Sequence, residues 1–410
     1  MDIKSPRQER LDPVPSAGSP MRVLLYSHDS FGLGHLRRNL NIAEALTTAN
    51  PEAVVLIVTG SPCATHFPMP PRVDVVKLPS VTKNAEGHYV PRSLGGALDF
   101  SIELRRALLM QLFESFSPNL LIVDHQLLGL RGELIPVLKE AKRLGTRTIL
   151  GIRDVIDSPE VVAREWGSKS ARWALSEVYD RVCVYGTPRV FDTRVEYPVP
   201  PELSRRLEFT GYLSPKPARV APRSLPNLRP EILVTMGGGE DGEERVLTYL
   251  DAIEMSPVFW DTTIVLGPLM PSRAVRRIKR RARILGGITV HRFHADLPKL
   301  LSNSSVVVAM AGYNTSTEIM RSGKPAVFLP RTFPRAEQHI RAERLERIGA
   351  ALCLANATAT QLREAIESSL TTPLKIRVQL PLDGLVRLAV IAGELVTGVT
   401  SKKTSETRIA

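Results

Sequence analysis

The sequence contains few cysteines, few aromatic residues and no long apolar run. Its three cysteines, Cys63, Cys183 and Cys353, are odd in number and far apart in the 410-residue chain. We therefore expect buried thiols in a reducing compartment, and neither a disulfide framework nor a zinc site. Aromatic residues make up only 5% of the chain and are not interleaved with basic ones, which argues against nucleic-acid binding. Because no stretch approaches the roughly 20 apolar residues of a membrane-spanning helix, we expect a cytoplasmic protein.

The N-terminal residues 1–20 are polar, contain prolines and lack the apolar core of a signal peptide. We expect them to form a disordered tail. The first strand-like run begins at Met21, which is therefore a second candidate for the start of translation.

Positive charge is abundant, and the formal net charge of +12 makes polyanions, anionic lipid and phosphate-bearing substrates attractive partners. The densest basic run extends from Ser272 to Arg283 and contains seven Lys or Arg residues. Val275, Ile278 and Ala282 recur in it at helical spacing. The run predicts a helix whose basic face is either simply solvated or in contact with a membrane surface or an acceptor.

Short β-branched runs alternate with amphipathic stretches from Met21 onward, which is typical of parallel sheets covered by helices. A proline-rich segment at 201–229 separates two such series and predicts a linker, because proline disrupts both strand ladders and helix interiors. We predict two doubly wound α/β domains of six strands each, at 21–200 and 230–375, followed by a C-terminal helix and tail at 376–410. The first six strands are predicted at 22–27, 53–60, 73–78, 120–125, 146–151 and 181–186. The second six are predicted at 231–239, 262–267, 288–293, 304–309, 325–330 and 350–354.

Ligands of such sheets bind beyond the carboxyl ends of the strands, so residues that directly follow strands are the site candidates. After the first strand, Gly32 and Gly34 allow a tight turn, and the next helix directs its positive end at the cleft. A dinucleotide-binding fingerprint is not expected, since its third glycine position is Arg37. His35 is either a polar residue at a helix start or a general base.

Two further strands of the first series end in charged residues. Asp124 and His125 follow one of them, and the carboxylate either closes a turn or orients an imidazole, as in catalytic dyads. Arg153, Asp154 and Asp157 follow the next strand, where they could contact an acceptor. They do not form the Asp-x-Asp pair with which some transferases hold a divalent metal.

In the second series, the first strand runs into Gly237, Gly238 and Gly239. Free backbone amides in such a loop suit a phosphate, although no Gly-Lys-Ser/Thr follows as in a Walker A loop and a plain flexible turn is the alternative. Thr315 and Glu318 follow the fourth strand and fit a T-x-x-E capping box, which begins a helix without implying any function.

Glu337 and Gln338 follow the fifth strand of this series. Adjacent acid and amide side chains suit sugar hydroxyls, but the same residues could begin an ordinary charged helix. The order of the motifs is more specific than any one of them.

From Glu231 to Leu354, that order resembles the C-terminal half of the family 28 glycosyltransferases. The matching pieces are "GGGEDG", "VHRFHADLPKLLSNSSVVVAMAGYNTSTE", "SGKPAVFLPR", "EQH" and "ERIGAA". The N-terminal half resembles the family less, through "FGLGH", and is similar to predicted bacterial glycosyltransferases of the same fold. The resemblance implies a GT-B architecture, in which two Rossmann-like domains face each other across a cleft.

The resemblance also implies a UDP-sugar donor held mainly by the C-terminal domain. Glu318 would bind the ribose hydroxyls, the backbone at Phe293 and His294 would contact the uracil, and Glu337 and Gln338 would bind the sugar. The remaining donor-binding residues implied by the resemblance lie around the diphosphate and are Gly34, Gly237, Gly238, Gly239, Gly312, Asn314 and Thr315.

Three positions depart from the usual pattern of the family. Gly239 stands where many members have serine, Glu337 replaces a frequent Gln or Asp, and Arg341 occupies a position that is often Asn. The departures at 337 and 341 bear on which sugar is transferred.

The expected reaction is an inverting, metal-independent transfer of a hexosyl or N-acetylhexosaminyl group to an acceptor hydroxyl, without a cofactor. His35 is the first candidate base, and Asp124 is the second, acting directly or by orienting an imidazole such as that of the adjacent His125. The acceptor would be a lipid-linked sugar, a small aglycone or a polysaccharide end, and the protein could act at the inner face of the membrane. A UDP-sugar 2-epimerase or hydrolase and a non-catalytic nucleotide-sugar-binding protein are the alternatives.

Overall fold

The computed structural model describes residues 20–28, 34–64, 67–84, 88–215, 229–294, 296–372 and 379–398. The predicted tail up to residue 19, Gly32 and residues 216–228 of the predicted linker lie outside this description.

The first half of the chain folds into an α/β domain. Its strands are β1 (Arg22–Ser27), β2 (Val54–Thr59), β3 (Val73–Lys77), β4 (Val81–Lys83), β5 (Tyr89–Pro91), β6 (Leu120–Asp124), β7 (Arg147–Arg153), β8 (Arg181–Tyr185) and β9 (Leu207–Phe209). Its helices are α1 (Gly34–Ala49), α2 (Leu98–Phe116), α3 (Ile135–Leu144), α4 (Pro159–Trp166), α5 (Lys169–Trp173), α6 (Thr193–Glu196) and α7 (Pro201–Ser204), with a 3-10 turn at Leu130–Gly132 and a π-helical turn at Ala174–Val178.

The second half forms another α/β domain and a final helix. Its strands are β10 (Glu231–Thr235), β11 (Asp261–Val265), β12 (Ile288–His291), β13 (Val306–Ala309), β14 (Ala326–Phe328) and β15 (Leu352–Cys353). Its helices are α8 (Glu243–Glu254), α9 (Ser272–Leu285), α10 (Leu297–Asn303), α11 (Tyr313–Ser322), α12 (Glu337–Arg347), α13 (Ala359–Thr371) and α14 (Gly384–Thr397).

Both main sheets are parallel and doubly wound. The N-terminal sheet has the strand order β3-β2-β1-β6-β7-β8-β9, and the C-terminal sheet has the order β12-β11-β10-β13-β14-β15. The interior strands are continuously apolar, as β6 with its five buried residues illustrates, because helices cover both faces. The strand order reverses between β1 and β6 and between β10 and β13, and such reversals open a crevice for ligands at the carboxyl ends of the strands.

The N-terminal sheet has seven strands rather than the predicted six. The additional strand β9 pairs with β8 and lies inside the segment predicted as a linker. It was not predicted because the segment around it is rich in proline. Its own three residues contain no proline, and Leu207 is buried in the domain core. The separate antiparallel hairpin β4–β5 was also not predicted.

The final helix α14 returns to the N-terminal domain. Leu388, Ala389, Ile391 and Ala392 are buried in the same apolar cluster as Leu36 of α1. None of the helices in the described ranges is long and apolar enough to cross a membrane.

A buried ion pair joins the two domains beneath the cleft. Arg341 of α12 and Asp154, which directly follows β7, have no exposed side-chain surface, and Arg341 Nη2 lies 2.7 Å from Asp154 Oδ1. The guanidinium also donates to the carbonyl oxygens of Ala311 (2.9 Å) and Val155 (3.2 Å), so that residues of both domains share it. Burial would lower the pKa of Arg341, but Asp154 more than offsets this and raises it. Arg341 therefore keeps its positive charge in this buried position.

We expect Arg341→Met to lower the melting temperature by several degrees. Removing one partner leaves the other charge buried and unpaired, which typically costs about 3–5 kcal/mol. Arg347→Met on the same helix is the matched control, since Arg347 is exposed and its loss should cost about 0.5 kcal/mol or less. Scanning calorimetry of both variants measures the difference, and equal melting temperatures would show that the buried pair does not hold the domains together.

Candidate active site in the interdomain cleft

The two strand reversals place the first turns of α1 and α11 against each other. Asn314 Nδ2 donates to the carbonyl oxygen of Gly34 at 2.9 Å. A Cβ placed on Gly237, in the loop after β10, would lie 3.7 Å from Thr315 Oγ1. The sequence motifs predicted to form the two halves of one site are thus neighbours in the fold.

His35 is held by a buried carboxylate on the N-terminal side of the cleft. Asp124 ends β6 beside the end of β1, and its Oδ2 lies 2.7 Å from His35 Nδ1. Because a carboxylate only accepts hydrogen bonds, the ring proton belongs on Nδ1, and Nε2 is the basic atom. Arg38 Nη2 also lies 2.7 Å from Nδ1, but two donors cannot bond, and this group donates to Asp124 Oδ2 instead.

The carboxylate of Asp124 is kept ionised by its partners. Burial acts to raise its pKa, but Arg38 and then His35 outweigh burial and lower the pKa well below its usual range. Arg38 binds both carboxylate oxygens, through Nε to Oδ1 (3.1 Å) and through Nη2 to Oδ2 (2.7 Å). Asp124 can therefore orient His35 and stabilise its protonated form, and it is poorly suited to act as the base itself.

Two further imidazoles lie beside His35. The ring centroids of His28 and His125 are each 5.5 Å from that of His35. Burial lowers the pKa of both rings, helped by His35 at His28 and by Arg153 at His125, so both are neutral near pH 7. His125 has a left-handed backbone (φ 72°), and Arg153 Nη2 lies 3.3 Å from its Nε2.

Glu318, the residue implied to bind ribose, pairs across the cleft with Arg37. Arg37 Nη2 lies 2.5 Å from Glu318 Oε1, and the Glu318 side chain is only 7% exposed. Burial raises the pKa of Glu318 and Arg37 opposes the rise. The other carboxylate oxygen, Oε2, has no hydrogen-bond partner in the described part of the chain.

The predicted capping box at Thr315 and Glu318 is wrong. The helix begins two residues earlier, at Tyr313, with Gly312 as the N-cap residue and without a side-chain cap. Thr315 therefore lies inside the first turn, and Glu318 lies in the second.

The glycine loop is shaped by close backbone packing. Gly239 has a φ of 90°, and a Cβ at this position would lie 2.3 Å from the carbonyl oxygen of Leu266. A serine side chain cannot fit there, which gives the departure from the family pattern a physical reason. Gly238, which is half-buried in the loop, accepts a hydrogen bond at its carbonyl oxygen from the Leu269 amide at 2.9 Å.

Glu337 and Gln338 begin α12, but neither is free. Glu337 forms ion pairs with Arg153 of the N-terminal domain and with Arg331, whose Nη2 lies 3.2 Å from Glu337 Oε1. Burial would raise the pKa of Glu337, but Arg153 and the other nearby guanidiniums lower it. Gln338 Oε1 accepts a hydrogen bond from the Arg331 amide at 3.1 Å.

The acidic residues after β7 face the C-terminal domain. Asp154 pairs with Arg341, and Asp157 accepts a hydrogen bond from the Ala336 amide at 2.9 Å. Arg335 lies 3.4 Å from Asp157. The carboxylates of Asp154 and Asp157 thus lie in the domain interface. Of the three residues predicted after β7, Arg153 is the one that contacts His125, which lies beside the candidate base.

Phe293 and His294 follow β12 at the rim of the C-terminal domain. The Phe293 side chain is exposed, and His294 is half-buried with its ring 5.2 Å from that of His291. No described contact joins either residue to the other site residues, and their contact with a base stays a prediction.

Buried polar atoms without partners collect in this cleft. They belong to both domains, and within the described residues they include His125 Nδ1, Arg153 Nε, Ser316 Oγ, Glu318 Oε2 and Arg331 Nε. Leaving such groups unpaired costs about 1–3 kcal/mol each. Their grouping in one place indicates a polar ligand that satisfies them.

Several residues of the site were not singled out by the sequence. Arg37, Arg38, Tyr313 and Arg331 looked like ordinary helix or loop residues. The cation of Arg38 lies 5.5 Å from the ring centroid of Tyr313, another contact between the domains. The available signal for Arg37 and Arg38 was their position in the first turns of α1, a helix that follows a glycine turn.

Other predictions concern regions outside this cleft. Helix α9 forms where the basic run predicts it, with Val275, Ile278 and Ala282 buried. Within the described residues, no group of three or more His, Cys, Asp or Glu side chains is placed to hold a metal ion. All three cysteines are free.

Comparison with known proteins agrees with this geometry. Residues 276–379 match the family model "Glycosyltransferase family 28 C-terminal domain". The resemblance to the family 28 glycosyltransferases is confirmed.

Two curated relatives are UDP-N-acetylglucosamine–N-acetylmuramyl-(pentapeptide) pyrophosphoryl-undecaprenol N-acetylglucosamine transferases. The one from Sorangium cellulosum is 35% identical over 95 residues, 23% of this chain and 24% of the relative. The one from Methylorubrum extorquens strain PA1 is 30% identical over 178 residues, 41% of this chain and 48% of the relative.

The matches thus span about a quarter of the length of the first of these relatives and about half of the length of the second. Solved structures match over more of the chain. The glycotransferase of kitacinnamycin superposes with a TM-score of 0.61 at 16% identity, covering 92% of this chain and 99% of that one. MurG of Acinetobacter baumannii gives a TM-score of 0.59 at 16% identity, with coverages of 92% and 100%. The fold is GT-B, as predicted.

The glycine loop after β10 is followed by a pH-sensitive residue, Glu240. Burial raises the pKa of Glu240 to about 7, with Arg92 and Arg331 opposing and Asp241 adding to the rise. Glu240 is therefore mostly protonated below pH 7 and becomes an anion above it.

We expect the affinity for UDP-glucose to fall roughly tenfold between pH 6 and pH 8, because the newly formed carboxylate repels the diphosphate. UDP-glucose suits the test, since its diphosphate does not titrate in this range. Glu240→Gln should remove the pH dependence, whereas Asp241→Asn at the exposed neighbouring position should retain it. Isothermal titration calorimetry measures all three proteins, and a steep profile in Glu240→Gln would exclude Glu240 as its origin.

Proposed function

We propose that this protein is a glycosyltransferase that moves a hexosyl group from a UDP-sugar to an acceptor hydroxyl with inversion. The observation that carries the proposal is the pairing of His35 with Asp124 directly opposite the glycine loop and α11 of the family 28 domain. The pair supplies an oriented base on one side of the cleft. The unpaired polar atoms of the C-terminal domain, Ser316 Oγ, Glu318 Oε2 and Arg331 Nε, would supply a donor-binding surface on the other side.

In the proposed reaction, the acceptor hydroxyl attacks the anomeric carbon while His35 Nε2 takes its proton. Asp124 then stabilises the imidazolium, since its carboxylate is already ionised and holds Nδ1. Attack from the side opposite the departing UDP inverts the anomeric centre.

We infer that the leaving diphosphate is stabilised by fixed dipoles rather than by a resident metal. The first turns of α1 and α11 meet at this point, and each presents backbone amides with a partial positive charge. Gly237 lies beside α11, and the amides of Gly237 and Gly238 would add to that field, whereas the Gly239 amide donates to the carbonyl oxygen of Met236.

Donor binding would require an exchange of partners at Glu318. In the free protein the Glu318 carboxylate accepts a hydrogen bond from Arg37, and the ribose hydroxyls would replace Arg37 as the donors. Arg37 would then be free to approach the diphosphate at the N-terminal end of α1. This exchange would couple nucleotide binding to the contact between the domains.

The proposed acceptor is a lipid-linked sugar, because the curated relatives are named for an undecaprenol-linked acceptor. The reaction would then take place at the cytoplasmic face of a membrane. Small aglycones and polysaccharide ends are alternative acceptors of the same chemistry.

A thermal-shift panel of UDP, TDP and GDP tests the donor class. UDP should raise the melting temperature more than the other two, because a ligand that binds only the folded state stabilises it. Glu318→Ala should weaken UDP binding by roughly ten- to a hundredfold, the usual worth of hydrogen bonds to a charged group. Glu343→Ala, in an exposed part of α12, is the control. Equal stabilisation by all three nucleotides, or unchanged UDP affinity in Glu318→Ala, would contradict the donor site.

His35→Asn tests the base. Its amide can still donate to Asp124 but has no group equivalent to Nε2, so turnover should fall by roughly 10²- to 10⁴-fold with UDP affinity unchanged. Exposed His88→Asn is the control. The assay follows UDP release from labelled UDP-N-acetylglucosamine and UDP-glucose with membrane extracts as the source of acceptor. Full turnover in His35→Asn would refute the assignment, and a new hexosamine formed without acceptor would identify an epimerase instead.

A further inference from the structure

Arg153 occupies an unusual position between the candidate base and the donor domain. It is the last residue of β7, and its side chain is 12% exposed. It forms an ion pair with Glu337, whose side chain is 7% exposed, and lies 3.3 Å from His125. The guanidinium thus lies between His125 and Glu337, the residue implied to bind the sugar of the donor.

The charge of Arg153 is poorly neutralised. Within the described residues its carboxylate partner is Glu337, which it shares with Arg331, and the second partner of Arg331 is the exposed Asp241. Burial lowers the pKa of Arg153; Glu337 opposes this, and the nearby cations Arg341, Arg38 and Arg335 lower it further.

The hydrogen-bonding capacity of Arg153 is also incomplete. Its Nε–H is buried and has no acceptor in the described part of the chain. Arg331 Nε is in the same state. A guanidinium only donates hydrogen bonds, so the missing partner must be an acceptor, and an anionic one would also supply the missing charge.

We propose that Arg153 binds a carboxylate on the sugar of the donor, which makes the donor a UDP-hexuronate. This inference rests on the proposed function and specifies its substrate. A carboxylate can accept two parallel N–H bonds from one guanidinium, a geometry that neutral hydroxyl groups reproduce less well. The substrate carboxylate would replace Glu337 as the partner of Arg153, and Glu337 would remain paired with Arg331.

The same geometry explains the departure at position 337. A glutamine there would leave Arg153 without any anionic partner in the free protein. Glu337 neutralises the guanidinium until the substrate arrives, and it competes with the substrate carboxylate. Glu337→Gln should therefore bind a hexuronate donor more tightly, and Arg153→Met should lose the preference for it.

UDP-glucuronate and UDP-glucose test the inference, because they differ only in the oxidation state of one exocyclic carbon. Isothermal titration calorimetry of the full chain should show roughly tenfold tighter binding of UDP-glucuronate by the wild type. Arg153→Met should abolish the difference, and Glu337→Gln should increase it about tenfold. Arg153→Lys keeps the charge without the paired donors and should retain a small preference.

Two controls separate this inference from its alternatives. Arg283→Met, on the exposed face of α9, should leave every affinity unchanged and so measures the effect of net charge alone. UDP itself should bind all variants equally. If UDP fails to bind the wild type, the proposed function is wrong. If UDP binds but UDP-glucose or UDP-N-acetylglucosamine binds as tightly as UDP-glucuronate, or if Arg153→Met keeps the preference, only the hexuronate inference is overturned.

Discussion

Asp124 lies at the carboxyl end of β6 with no exposed side-chain surface, and two groups from α1 converge on its carboxylate. One is His35, whose proton position follows from this contact. The other is Arg38, which neutralises the carboxylate and lies 5.5 Å from the ring centroid of Tyr313. Tyr313 begins α11, so a single buried carboxylate links the candidate base to the helix expected to meet the diphosphate.

The contacts between the domains fall into two kinds. Beneath the cleft, Arg341 and Asp154 form a fully buried pair that no ligand can reach. At the cleft itself, Arg37 pairs with Glu318 and Arg153 pairs with Glu337, and both carboxylates are implied to bind the donor. The first kind sets how the domains face each other. Under the proposed function the second kind is exchangeable, because a bound sugar nucleotide would offer groups that replace the protein partners.

The strands and the residues at their ends were predictable from sequence. Parallel strands that are buried on both faces appear in the sequence as apolar runs with clear ends. Because Asp124 stands at the end of such a run, it was predicted to lie in the cleft. The strand β9 was missed because it is three residues long and surrounded by prolines. Local patterns rarely identify so short an edge strand.

The partners of the site residues were not predictable. Arg37 and Glu318 are separated by 281 positions in sequence, and Arg341 and Asp154 by 187. Nothing local distinguishes these arginines from solvated ones. The capping-box pattern at Thr315 was misleading for a similar reason, because Glu318 forms an ion pair with Arg37 of the other domain and does not cap its own helix. Tertiary contacts thus decided the role of each charged residue.

The central claim is that the cleft between the domains is a UDP-sugar site, and a crystal structure of the protein with bound UDP tests it most directly. We expect the diphosphate between the Gly237–Gly239 loop and the first turns of α1 and α11. The ribose should lie on Glu318, with Arg37 displaced from that carboxylate. UDP bound elsewhere, or bound while Arg37 and Glu318 remain paired, would contradict the account.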